Sequence, residues 1–184
     1  MQTKRNVWLW ILYDFANSII SIVFFLYFTQ WLVVEMEVKD IWFNLTFTAS
    51  SLLLLFSAPL AGLLADKFLR RISGIRYTTV LTASFYTLCV VAVIQDSTVW
   101  AMIFFTLGLY AYQLSFIFYT PLLNDISTPA RRGLISGCGV AANYLGQLTG
   151  LALVLPFANE KFALFNISAR AETLMPAIIS FFIL

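Results

Sequence analysis

Histidine is absent, cysteine occurs twice, and charged residues make up only 11% of the 184 positions. Without histidine the commonest metal ligand is missing, and two cysteines are too few for a Cys₄ zinc site or a disulfide framework. So little charge excludes an ordinary soluble domain, in which about 25% of residues are charged. A net charge of +2 gives no basic stripe for nucleic acid. What fills the chain is apolar: 61% hydrophobic residues, with 18 Phe, 8 Tyr and 5 Trp, and a mean hydropathy of +0.88. A small soluble fold must turn most of its side chains to water and cannot hide this much apolar surface. The sequence is therefore that of an all-α integral membrane protein, with the lipid bilayer as its first partner.

A helix crosses a bilayer with about 20 apolar residues. Five stretches meet that length: Val7–Val34, Ile41–Ala65, Tyr77–Ile94, Val99–Leu123 and Leu134–Phe157. A sixth begins at Leu174 and holds 11 residues up to Leu184, about half of what a crossing needs. The expectation is a chain cut inside its sixth helix. Basic residues set the orientation. Lys4, Arg5, Lys67, Arg70, Arg71, Arg76, Arg131 and Arg132 fall on one side, against Lys39, Lys161 and Arg170 on the other. This asymmetry puts the N-terminus in the cytoplasm. Trp8 and Trp10 are expected near the inner interface, and Trp31, Trp42 and Trp100 near the outer one. Cys89 and Cys138 fall inside spans and read as small apolar residues.

Polar residues inside the spans are the candidates for function. Asp14 lies seven residues after Val7, ~10 Å into the first span at helical rise. A carboxylate there is costly unless it is paired, hydrated or protonated. Asp14, Asn17, Ser18 and Ser21 share one helix face, which Phe25 and Phe28 continue. This face either lines a cavity or holds an Asp that only caps backbone or pairs with an Arg. On the fourth span, Thr106, Tyr110 and Gln113 form a second stripe. Thr106 suits an interhelical hydrogen bond, and Tyr110 and Gln113 suit a cavity wall. The fifth span is rich in small residues, and its Gly133-x-x-x-Gly137 and Gly146-x-x-x-Gly150 pairs suit close helix packing. Asn143 and Gln147, four apart on this span, either line a cavity or bond to a neighbour. No histidine, paired intramembrane acids or nucleophile arrangement suggests an enzyme, and nothing calls for a cofactor or metal.

Two loops carry further pattern. Gly62-Leu63-Leu64-Ala65-Asp66-Lys67-Phe68-Leu69-Arg70-Arg71 follows span two, and Asp125-Ile126-Ser127-Thr128-Pro129-Ala130-Arg131-Arg132-Gly133 follows span four. The first resembles the Gly-x-x-x-Asp-(Arg/Lys)-x-Gly-Arg-(Arg/Lys) loop of the major facilitator superfamily, with Leu69 in place of the second Gly. The second resembles the Asp-x-x-x-Pro-x-x-Arg-Gly element of the same superfamily. Tyr13-Asp14-Phe15-Ala16-Asn17-Ser18 and the run from Arg132 to Gly139, followed by Asn143-Tyr144-Leu145-Gly146, are similar to the vacuole-effluxer-like family, with Asn143 where that family has Gly.

This resemblance spans essentially the whole chain. It implies the N-terminal six-helix half of a twelve-helix facilitator, a secondary transporter that moves a small solute, with amino acids as one candidate class. It would work with a C-terminal six-helix half. Helices one and four would line the cavity. Gly62, Asp66, Lys67, Arg70, Arg71, Asp125, Arg131 and Arg132 would form the gating loops, with Asp125 in a charge relay to Arg70. The short loops are like those of bacterial members, implying the cell (inner) membrane; a fungal chain would sit in the vacuolar membrane. Many proton-coupled facilitators carry an Arg in helix four, and span four here has no basic residue. A non-transporting scaffold or a small channel is the alternative reading.

Overall fold

The computed structural model describes residues 4–67 and 70–158. They form five long helices and no strand: α1 (Lys4–Val23), α2 (Asp40–Lys67), α3 (Arg71–Ile94), α4 (Thr98–Ile126) and α5 (Pro129–Ala158). α1 continues through two π-helical turns, Phe24–Phe28 and Trp31–Glu35. The expected sixth span, from Leu174 on, lies outside the described residues. Each helix overruns its apolar stretch, because helical hydrogen bonding does not stop where lipid does. α3 begins at Arg71, six residues before the apolar run at Tyr77, and α5 begins with Pro129, whose missing N–H is harmless in a first turn.

Four of these segments, Lys4–Glu35, Asp40–Asp66, Arg71–Ile94 and Thr98–Ile126, are long and apolar enough to cross a membrane, so the chain is a membrane protein. α5 has 30 residues and ample length, but Asn143, Gln147 and its glycines make it more polar, and it is not among the four. Pro59 in α2 and Pro121 in α4 each remove one backbone donor, a loss that membrane helices tolerate.

The chain divides into two compact units. One comprises residues 36–122, with α2, α3 and most of α4. Here α3 and α4 form an antiparallel hairpin. Arg71 donates to the Pro121 carbonyl at one end, and the Cys89 thiol lies 3.5 Å from the Ala101 carbonyl at the other. Gly108 lets the two helices close, since a Cβ there would lie 2.6 Å from the Tyr86 ring. The hairpin turns through a Schellman arrangement, in which Ser97 N–H reaches Ala92 O at 2.9 Å and Asp96 N–H reaches Val93 O at 3.1 Å, with Asp96 left-handed at φ 50°. α2 runs parallel to α4. Phe43 meets Phe105 near their starts, while Ala61 and Ala65 pack with Phe118 near their ends.

The other unit comprises residues 1–35 and 123–184, and its described core is α1 packed on α5. Contacts advance together along both helices, from Trp10 at Gly139 through Phe15 at Gly146 to Ile19 at Gly150. The two helices are therefore parallel and start at the same end, as alternating crossings require of the first and fifth. The glycines that allow this are Gly139, Gly146 and Gly150, not the expected Gly133 and Gly137. A Cβ at Gly133 or Gly137 would meet nothing within 4 Å, whereas one at Gly146 would run into the Phe15 carbonyl oxygen, and one at Gly150 would lie 3.0 Å from the Ile19 carbonyl oxygen. Sequence spacing shows small residues, but only the neighbour's position shows which of them are used.

The π-helical turns also alter the face of α1. Phe25 and Phe28 were expected on one stripe, but Phe28 is buried and Phe25 is 44% exposed. A π turn takes up an extra residue, which rotates the side chains that follow. Trp10 and Trp31, expected in aromatic belts, are packed inside at 9% and 2% exposure, while Trp8, Trp42 and Trp100 are exposed.

The α1–α5 contact gives a direct expectation. Gly146→Ala sets a methyl against backbone that cannot rotate away and should cost about 1–3 kcal/mol. Gly137→Ala, in open space, should be neutral or slightly stabilising by helix propensity. Thermal or detergent unfolding of the two variants in lipid-like micelles measures the difference, and equal effects would contradict this packing.

Candidate functional site

The site is built on the α1–α5 contact. Asp14 is half-buried on α1, facing α5 across Gly139: a Cβ at Gly139 would lie 3.6 Å from Asp14 Oδ2. The glycine thus makes room for the carboxylate, and the Trp10 ring covers the adjacent ground. One turn further along α5, Asn143 Nδ2 donates to Asp14 Oδ1 at 3.4 Å. Gln147 Nε2, one turn beyond, donates to Asn143 Oδ1 at 2.7 Å. Three side chains therefore form one directed hydrogen-bonded chain, Gln147 to Asn143 to Asp14. An intramembrane carboxylate needs donors, and this chain supplies Asp14 with one.

The rest of the α1 stripe behaves differently. Ser18 donates to the Asp14 carbonyl at 2.7 Å, and Ser21 donates to the Ser18 carbonyl at 3.2 Å, so both hydroxyls are satisfied within their own helix. Asn17 is 2% exposed, and its Nδ2 has no acceptor among the described residues. Further along, Thr29 donates to the Phe25 carbonyl across the first π turn.

On α4 the expected stripe separates. Thr106 donates to the Met102 carbonyl of its own helix at 2.8 Å rather than across helices. A threonine hydroxyl reaches the preceding turn easily, and this local bond wins. Tyr110, expected on a cavity wall, donates to Ser57 Oγ of α2 at 2.9 Å, and Gln113 Nε2 donates to Ser50 Oγ at 3.4 Å. Ser50 and Ser57 lie seven apart on α2 and were missed as partners. Their i, i+7 spacing, carried on by Ala61 and Ala65, was the available signal.

Of the loop candidates, Asp66, Arg70, Asp125 and Arg131 are exposed, and Gly62, Arg71 and Arg132 are half-buried. Asp66 pairs with Arg71 across the α2–α3 turn, Oδ1 to Nη2 at 3.6 Å, with Asp66 71% exposed. Arg71 also holds α4 through the Pro121 carbonyl at 3.3 Å. Lys67 ends α2 and Arg70 is exposed just before α3. Gly62 lies in the last turns of α2, and a Cβ there would meet nothing within 4 Å. Asp125 is exposed near the end of α4. Arg131 is exposed, and Arg132 is half-buried with its Nε lacking a partner among the described residues.

Tyr110 and Ser57 provide a test of the second unit. Interhelical hydrogen bonds in membranes average about 0.6 kcal/mol in double-mutant cycles. Tyr110→Phe, Ser57→Ala and the double variant should show a coupling of that order in unfolding measurements. Strictly additive effects would mean that the bond is not made.

No family model, no curated protein and no solved structure matches this chain.

Proposed function

We propose that this chain is the N-terminal half of a secondary transporter of the major facilitator type, similar to the vacuole-effluxer-like family. It moves a small solute by alternating access together with a C-terminal half. The observation that carries the reading is Asp14. A carboxylate deep in an apolar helix is expensive, and such residues mark solute and ion pathways. Its amide chain on α5 supports a site that is held in place rather than an accidental charge. The solute class remains the one that the resemblance suggests, with amino acids first. The pairing of Asp66 with Arg71 supports a gate at the α2–α3 turn. An exposed pair adds little to stability, so its use would lie in forming and breaking.

A small channel or an inert scaffold is the competing reading, and flux separates them. A full-length protein containing this chain, reconstituted in liposomes with radiolabelled amino acids, should show saturable flux and counterflow, because an alternating carrier returns loaded. Asp66→Asn should lower the rate several-fold without lowering insertion. Flux without saturation or counterflow would mean a channel, and inserted protein with no flux would mean a scaffold.

A further inference from the structure

Parallel packing of α1 on α5 concentrates positive charge at the end where both helices begin. A helix start carries the positive end of the backbone dipole and is ordinarily relieved by an acid in its first turn. Neither α1 nor α5 has an acid there. Lys4 and Arg5 open α1 instead, and Arg131 and Arg132 stand in the opening turn of α5. The register fixed by Trp10 at Gly139 sets the two pairs level to within roughly one helical turn. Two dipole ends and four cations therefore meet at one place. Asp125 lies four positions before α5, and among the described residues none of the four cations pairs with a carboxylate. The start of α3 differs, because there Asp66 answers Arg71.

Arg132 carries a second observation. Its Nε is closed off from solvent and lacks an acceptor among the described residues. Swung outward, the same side chain offers a planar fork that takes a phosphate through two N–H groups. Gly133, the next residue, is exposed, and a Cβ there would meet nothing within 4 Å, so the ground beside Arg132 is open. One turn past Lys4, Trp8 is 70% exposed, and Leu9 and Leu12 continue an exposed apolar surface on α1. A free anion has no use for that surface. A phospholipid does: its phosphate lies at the depth of the cations and its acyl chains at the depth of the leucines, with an indole at the boundary between them.

We infer that the paired starts of α1 and α5 form a binding site for an anionic phospholipid, its phosphate held by Lys4, Arg5, Arg131 and Arg132. Basic ground between membrane helices suits such headgroups. A zwitterionic headgroup suits it less, because its ammonium would be pressed against the same four cations. The bound anion supplies the negative charge that the two first turns lack. The inference needs only this helix pair in a bilayer and stands apart from the transporter reading.

The test uses the full-length protein containing this chain, in phosphatidylcholine nanodiscs doped with phosphatidylglycerol. Brominated acyl chains quench nearby indoles, so the share of quenching that Trp8→Phe removes reports on this site. Brominated phosphatidylglycerol should quench Trp8 at a small mole fraction at which brominated phosphatidylcholine does not. Arg5→Gln and Arg132→Gln, one on each helix, should each raise the half-quenching fraction about fivefold, the size expected of one cation near an anionic surface. Arg76→Gln, which removes an exposed charge from α3, should leave it unchanged. Equal quenching by the two lipids, or an equal loss in Arg76→Gln, would leave only general attraction to the leaflet and overturn the inference. Displacement of the lipid by millimolar inorganic phosphate would mean an ion site with no lipid in it, and would overturn it too. If Trp8→Phe fails to fold, native mass spectrometry of detergent-released protein gives the reading instead. Phosphatidylglycerol should stay bound to the unaltered protein and be depleted in Arg132→Gln. Equal retention of phosphatidylcholine, or undiminished phosphatidylglycerol in the variant, would contradict the site.

Discussion

A carboxylate inside a membrane helix has to be solvated by the protein itself, and the first unit is arranged around that constraint. Lipid offers Asp14 no donor, so α5 must come close enough to supply one. That closeness requires glycine wherever the backbone of α1 would otherwise be struck, which is where Gly146 and Gly150 stand. It also requires an empty place beside the carboxylate, which is Gly139. The polar chain and the close packing are thus one solution: without the glycines Asn143 could not reach the carboxylate.

The second unit uses the same means more modestly. Its polar side chains join helices in pairs, Tyr110 to Ser57 and Gln113 to Ser50, with neutral groups on both sides. Small residues again mark the contact, as Ala61 and Ala65 pack with Phe118 and Gly108 admits Tyr86. Bonds between neutral groups hold helices without creating a charge that needs further support, so this unit reads as framework. The first unit holds the one acid well inside the spans.

Much of the helix layout was legible because apolar length is a one-dimensional signal. Asp14 stood out for the same reason, as a charge with no business in lipid. Its partners were visible only as candidates. Asn143 and Gln147 lie four apart, which places them on one face, but α5 could have turned that face anywhere. The register between α1 and α5, fixed by Trp10 at Gly139 and Ile19 at Gly150, is a three-dimensional fact. It also explains the error over Gly133 and Gly137, which have the right spacing on the wrong part of the helix. Trp10 and Trp31 pack inside while Trp8, Trp42 and Trp100 are exposed, a difference that position near a span end does not reveal. The π turns left no pattern to read, and Phe25 moved off its stripe because of them.

The account depends on the Asp14–Asn143 contact existing in a bilayer. Magic-angle-spinning NMR of the chain in lipid, with labelled aspartate and asparagine side chains, measures it directly. A through-space correlation between the Asp14 carboxyl carbon and the Asn143 side-chain nitrogen, of the strength a 3.4 Å hydrogen bond gives, is the result expected. Its absence in a chain whose helices are intact, with the Asp14 carboxyl correlating to lipid acyl chains instead, would contradict the account.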